Sequence, residues 1–256
     1  MTTDGGVAGW WRMLADLVLP RTCAGCALPG DALCGRCRRW LAVPRLAQPR
    51  RHPDGFPPTV AAGAYAGPVR PVVLAFKEHG RAELAAPLGT ALALAVTVAL
   101  AGLPASRAAP RPVLLVPVPS SAAAVQRRGR DHVAELARSA AAELCAAGVP
   151  ARPDRLLRRR HGTRDSAGLD AAARRANLAG RFVCRPRSRL PPGVLLVLVD
   201  DVVTSGATLT EAARALAAAD PSGTGAPVLA AVVAATPRRP SRRVSPSGPG
   251  AFTVRS

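Results

Sequence analysis

Short runs of purely apolar residues alternate along the chain with longer segments whose apolar positions recur at helical spacing. Val60–Tyr65, Val113–Val118, Val194–Val199 and Val228–Ala234 read as strands. The last three are apolar on both faces, the mark of buried parallel strands. Between them, Pro68–Glu78, Glu83–Ala101, Asp131–Ala147 and Thr208–Ala219 read as helices. Pro68 suits a first helical turn, and Gly148 suits a helix end. Strands alternating with helices predict an α/β fold with a doubly wound, mostly parallel sheet. Trp10, Trp11, Leu14, Leu17 and Val18 predict a short helix over 10–19, and Pro44–Pro58 reads as a linker or loop. No internal repeat is visible.

One segment, Ala85–Leu103, carries no charge and has the length of a membrane span. It is Ala-rich, contains Pro87, Gly89 and two Thr, and lacks flanking aromatics. It is therefore expected to be a helix buried on the sheet, with no membrane span in the chain. The start of the chain lacks a cationic secretory signal, which points to the cytoplasm. Three regions are expected: an N-terminal helix and cysteine module over 1–50, an α/β domain over 51–235, and a disordered Arg/Pro/Ser/Gly tail over 236–256.

Of six cysteines, four form Cys23-x2-Cys26-x7-Cys34-x2-Cys37. Two residues between paired thiolates let one tight turn present both sulfurs to an ion. A structural Zn2+ is expected, closed by four ligands. A pair of disulfides is the alternative, but the absence of a signal argues against it. Cys145 and Cys184 read as small apolar fillers.

Charge refines the picture. The 256 residues carry 35 basic and 16 acidic groups, a formal +19, and aromatics are only 3 %. Lys77 is the sole lysine. Residues 121–192 hold 16 basic and 6 acidic groups, about half of the excess. Such a surplus predicts a polyanionic partner. Arg158–Arg164 reads either as a flexible basic flap over an anion or as a solvated loop; His132 and His161 read as incidental.

The most informative stretch is Val194–Leu209. An apolar strand ends in Asp200 and Asp201, a small-residue turn follows, and a helix begins. Thr204, Ser205, Gly206, Ala207 and Thr208 gather backbone N–H groups, hydroxyls and a helix N-terminus around one point, an anion cradle. Gly206 permits close backbone approach to an oxyanion. Adjacent carboxylates suit vicinal hydroxyls. A ribose 5-phosphate satisfies both ends of this motif. It is not a P-loop, because the order and lysine of that motif are missing.

This stretch resembles the ribose-phosphate signature of type I phosphoribosyltransferases. With the four cysteines in front, the chain from Leu14 to Ala235 resembles the ComF family of competence-associated, phosphoribosyltransferase-like proteins. Lys77 within Ala75–Gly80, Val116–Ser120, Arg128-Gly129, Ala167–Leu169 and Arg174–Phe182 are similar to further family segments. Arg130-Asp131-His132 and Ser166 depart from the family's usual residues in regions expected to meet the leaving group and the acceptor.

The resemblance implies binding of phosphoribosyl pyrophosphate. It puts the 5-phosphate on Thr204–Thr208, the ribose on Asp200 and Asp201, and pyrophosphate near Ser120, Arg127, Arg128 and Lys77. Mg2+ is expected with the diphosphate. Transfer to an acceptor replaces pyrophosphate at ribose C1. The resemblance also implies a second role, a DNA-uptake factor that binds single-stranded DNA beside a competence helicase. The few aromatics disfavour base stacking in that role. A purely structural zinc adaptor is a third class.

Overall fold

The computed structural model describes residues 21–49, 53–103, 111–160, 180–185, 193–218 and 228–237. The expected helix over 10–19, Ser166, most of the Ala167–Phe182 signature and the tail from 238 lie outside them.

In chain order the elements are α1 (Gly35–Arg38), a 3-10 turn (Arg39–Leu41), β1 (Arg45–Leu46), β2 (Thr59–Ala64), α2 (Val69–Lys77), a 3-10 turn (Ala82–Leu84), α3 (Ala85–Ala101), β3 (Val113–Pro117), α4 (Ala122–Arg128) and α5 (His132–Ala146). Then come β4 (Ala151–Pro153), β5 (Leu157–Arg159), β6 (Phe182–Cys184), β7 (Leu195–Val203), α6 (Ala207–Ala217) and β8 (Val228–Ala235). Six strands form one sheet in the order β1-β2-β8-β7-β3-β4. β1 runs antiparallel to β2, and the other pairs are parallel. The mostly parallel α/β fold read from the sequence is the fold observed. β5 and β6 form a separate antiparallel pair.

Side-chain alternation divides the core into two layers. Val113, Leu115, Val197, Val199, Ala231 and Val233 face the cluster built by α2, α3 and α5. Leu114, Val116, Leu196, Leu198, Ala230 and Val232 face the cluster built by α6 and the β5–β6 pair. Because both faces are covered, the central strands are apolar throughout. β3 leads into helices on the first face, whereas β7 leads into α6 on the second. The chain thus diverges between two neighbouring strands, the position outside whose carboxyl ends open α/β sheets bind ligands.

Pro44–Pro58 is more than a linker. Arg45 and Leu46 pair with Ala61 and Val60 at the sheet edge. The cysteine module likewise has no core of its own. Cys23, Leu33, Cys37 and Leu41 belong to the same buried cluster as α2 and α3. Gly63 in β2 is needed there, because a Cβ would collide with the Trp40 carbonyl.

The long apolar helix α3 packs on the sheet against β2 and β8, side by side with α5. Ala82–Ala101 is long and apolar enough to cross a membrane, but half of it is buried inside the fold. Its near approach to α5 is made by Gly89, whose missing Cβ leaves room for Ser139. Gly89→Ala should overpack this contact and destabilise the fold by about 2 kcal/mol. Thermal unfolding of the variant checks this, with an unchanged Tm arguing against the helix packing described.

Candidate functional site

The expected end of the strand at Val199 is corrected. β7 continues through Val203, because Asp200, Val202 and Val203 remain paired with Val232, Ala234 and Ala235 of β8. Asp200 and Asp201 therefore lie inside a strand, and consecutive strand residues point to opposite faces.

Asp201 faces the helical layer. It is 4 % exposed. Its Oδ2 lies 2.7 Å from Lys77 Nζ at the end of α2 and 3.1 Å from His132 Nε2 at the start of α5. Its Oδ1 accepts the Val202 N–H at 2.7 Å. Burial alone would raise this carboxyl, but the His132 hydrogen bond and the Lys77 charge outweigh it and hold Asp201 well below the usual carboxylate range. Burial works against the Lys77 ammonium too, and Asp201 overrides it, so Lys77 sits above its ordinary value.

Asp200 has the opposite fate. Burial and the adjacent charge of Asp201 push its carboxyl well up. It is less buried than Asp201, and its Oδ1 accepts the Asp201 N–H at 2.9 Å. Two neighbouring carboxylates, grouped together by sequence, thus differ in their hydrogen-bond partners and in protonation tendency.

His132 is not incidental. It is 2 % exposed, it contacts Asp201, and its ring meets Phe76 edge-on at 6.1 Å. Its Nδ1 has no hydrogen-bond partner among the described residues. The flanking residue Arg130 stacks 4.4 Å above Phe76, donates to the Phe76 carbonyl at 3.0 Å and pairs with Glu135. Arg128 pairs with Glu78 at 2.9 Å, and that hydrogen bond lowers the Glu78 carboxyl. Phe76 and Lys77 of α2 and Glu78 just after it thereby become one wall of the site. A histidine 69 positions away from its aspartate has no local sequence signal.

At the carboxyl end of β7 the turn carries exposed Thr204 and Ser205. Gly206 caps α6 in the left-handed region at φ 79°. The side where it lacks a Cβ is met by the Phe56 ring at 2.8 Å and by Pro49 at 3.1 Å. Pro49 and Phe56 thus pack against the turn. A side chain at 206 is excluded twice, by backbone conformation and by space. The Ala207 N–H reaches Ser205 Oγ at 3.5 Å.

On neighbouring β3, Pro117–Ser120 continues from the strand end into α4, a helix the sequence reading left out. Ser121 caps it by accepting the Ala124 N–H at 3.2 Å, and Gly129 ends it in the left-handed region. With seven residues and none buried, it has no apolar stripe to announce it. Ser120 lines a cavity of about 850 Å³ with Arg155, Arg158, Arg159, Arg160 and Arg185. Neither Lys77, Arg127, Arg128 nor the 204–208 turn lines it. Arg158 and Arg159 belong to β5 rather than to a flexible flap. Arg155 and Arg185, far apart in sequence, were not anticipated there.

The four cysteines converge. Their Sγ atoms all lie within 4.8 Å of one another, and those of Cys26 and Cys34 are 3.6 Å apart. Tetrahedral Zn2+ requires sulfur–sulfur separations of about 3.8 Å, so the set fits a metal such as zinc. Burial raises the Cys23 thiol, but N–H groups of Cys34 and Gly25 at 3.3 and 3.4 Å outweigh it and hold it at about 6. Burial and the surrounding thiols push Cys37 up. Cys145, expected as an apolar filler, is exposed and donates to the Ala151 carbonyl at 3.1 Å.

The two aspartates should differ in stability. Asp201 has a depressed folded-state pKa, so it stabilises the fold above about pH 3.9 and loses this as pH falls through its folded value. Asp200 has a raised one, so its ionised form opposes folding at higher pH and the penalty fades on acidification. Asp201→Asn should cost about 2–4 kcal/mol at neutral pH by stranding Lys77. Asp200→Asn should leave stability equal or raise it by up to about 1 kcal/mol. Denaturation of the two single variants checks the signs; equal losses would contradict the division of roles.

The phosphoribosyl transferase domain model matches residues 82–248. That span covers the loops after β3 and β7 and the Arg-lined cavity, and it leaves out the four cysteines. No curated protein matches the chain. A fold of mostly parallel strands and a match over most of its length agree: the chain belongs to the phosphoribosyl transferase family.

Proposed function

We propose that the chain binds phosphoribosyl pyrophosphate, or a related ribose 5-phosphate, in the crevice between β3 and β7 and transfers the phosphoribosyl group to an acceptor. The observation that carries this reading is the Thr204–Thr208 turn at the head of α6, on the strand next to Ser120, within the matched domain. The 5-phosphate meets the N–H groups and hydroxyls of that turn. Asp200 accepts from the ribose hydroxyls. Asp201 holds Lys77 at the rim, with Ser120, Arg127 and Arg128 on the pyrophosphate side. In the reaction the bond from C1 to the pyrophosphate oxygen breaks and the bond from C1 to the acceptor forms. Pyrophosphate leaves with the bonding pair, and the acceptor gives up its proton. Charge develops on the departing oxygens, where arginine and lysine favour it. Mg2+ carried on the diphosphate supplies further neutralising charge.

The closed four-thiolate set supports a structural Zn2+. Together with the phosphoribosyl domain, it supports membership of the ComF family and a cytoplasmic protein. A second reading, a competence factor that handles single-stranded DNA beside a helicase, is favoured by one feature. Arg36, Arg38 and Arg39 flank the cysteines, and Trp40 is half exposed next to them.

Calorimetry with phosphoribosyl pyrophosphate and Mg2+ tests the first reading. Asp200→Asn and Gly206→Val should each weaken binding at least about ten-fold, the loss of one charge-assisted contact or of the turn conformation. Unchanged affinity in both removes the assignment. A pyrophosphate-release assay across a panel of bases and amines measures turnover. Filter binding with single-stranded DNA tests the second reading, where a steep salt slope is expected.

Metal analysis should find one zinc per chain. Cys26→Ser should lose it and lower the Tm of the whole domain, because Cys23 and Cys37 sit in the main core.

A further inference from the structure

The cavity beside Ser120 has an unusual lining. Among the described residues that line it, five are arginines and one, Asp131, is an acid. Asp131 is already engaged: it pairs with Arg155 at 2.9 Å and caps α5 by accepting the Ala134 N–H at 3.2 Å. No carboxylate among the described residues pairs with Arg158, Arg160 or Arg185. Arg158, Arg160 and Arg185 thus stand around one concave space without a carboxylate partner among the described residues.

The wall that carries them is built. Arg158 and Arg159 stand in β5 opposite Val183 and Phe182. The Arg160 N–H donates to the Arg181 carbonyl at 2.8 Å, and the Arg185 N–H donates to the Leu156 carbonyl at 2.9 Å. Leu157 and Phe182 root this pair in the core on α6. Like charges gathered on such a scaffold repel one another, a cost that an anionic ligand relieves.

Volume and composition narrow the ligand. About 850 Å³ suits a small molecule. Val118, Val125 and Leu157 offer an apolar floor. No aromatic side chain among the described residues lines the space, so they offer no platform for stacked bases of single-stranded nucleic acid. The 204–208 turn and Lys77 do not line it either, so it is a compartment apart from the proposed 5-phosphate cradle.

We propose that this cavity binds a small organic acid, a carboxylate or phosphate on an apolar body, and that this acid is the second substrate. The proposal deepens the phosphoribosyltransferase reading and rests on it only for the word substrate. Guanidinium forks favour planar carboxylate and phosphate groups, to which they donate two parallel hydrogen bonds.

The test is calorimetry on the full chain with benzoate, phenyl phosphate and neutral benzamide as probes. It is done at near-physiological salt, with and without phosphoribosyl pyrophosphate. The two anions should bind at least about ten-fold more tightly than benzamide. The exposed-residue double variant Arg158→Gln/Arg185→Gln should lose that preference. Its affinity for phosphoribosyl pyrophosphate should change less than about two-fold, and its circular dichroism should match the parent. Anion binding that survives the double substitution, or no preference over benzamide, overturns the proposal. So does displacement of phenyl phosphate by inorganic pyrophosphate, since the arginines would then hold the leaving group. Displacement by an oligothymidylate overturns it in favour of nucleic acid. If the parent chain binds the anions but not phosphoribosyl pyrophosphate, the acid site stands and the sugar-phosphate reading fails.

Discussion

A carboxylate buried in the middle of a sheet is tolerated only if it is paired, and the site is organised around one that is. Asp201 draws Lys77 from α2 and His132 from α5 onto a single oxygen. The pairing ties three elements together at the carboxyl end of β7, where the chain diverges. An unpaired charge there would cost several kcal/mol, so the arrangement holds as a unit. Arg130 on Phe76 and Arg128 on Glu78 extend it along the same helix. The direction of Asp200 follows. With its neighbour committed to the helical layer, strand alternation turns Asp200 to the other side, and the charge of Asp201 makes its own ionisation harder. Within the fold the Asp200 carboxyl accepts a hydrogen bond from the adjacent backbone, the Asp201 N–H on Oδ1.

Much of this fold was legible in the chain. Val113–Pro117 and Val228–Ala235 fall within one residue of the apolar runs that announced them, since strands covered on both faces admit only apolar residues. The same rule explains the error in β7. Charge at Asp200 and Asp201 ended the apolar run, while backbone pairing continued to Val203. β1, β4, β5 and β6 have two or three residues each, too few for a period of two to appear. The strand–turn–helix around 204–208 was legible because its signal is local, whereas the His132–Asp201 contact and the ring of arginines join distant segments. Nothing local marks Arg155 and Arg185 as neighbours; the β5–β6 pair makes them so.

The cysteine module shows the same dependence of local chemistry on distant packing. Its spacing announced a metal set, and its four sulfurs converge. Yet Leu33 and Leu41 are buried against the helices of the large domain, and Gly63 of β2 is bare so that the Trp40 backbone can approach. The module is a wedge in the first face of the sheet. Metal affinity and domain stability are therefore linked quantities, each measured partly through the other.

The arginine surplus divides by partner. One group, Arg128, Arg130 and Arg155, is spent on Glu78, Glu135 and Asp131, and these pairs fasten the residues between α4 and α5 to α2 and to the wall of the cavity. Pairs of this kind position loops more than they stabilise the fold. The other group, Arg158, Arg160 and Arg185, faces the cavity with no acid opposite among the described residues. A chain selected only for solubility would intersperse acids there, as it does along α5 with Glu135 and Glu143. Segregation of paired from facing arginines between positions 128 and 185 is the feature on which the proposed acid ligand rests, and the position of the cavity beside Ser120 sets it next to the proposed sugar-phosphate site.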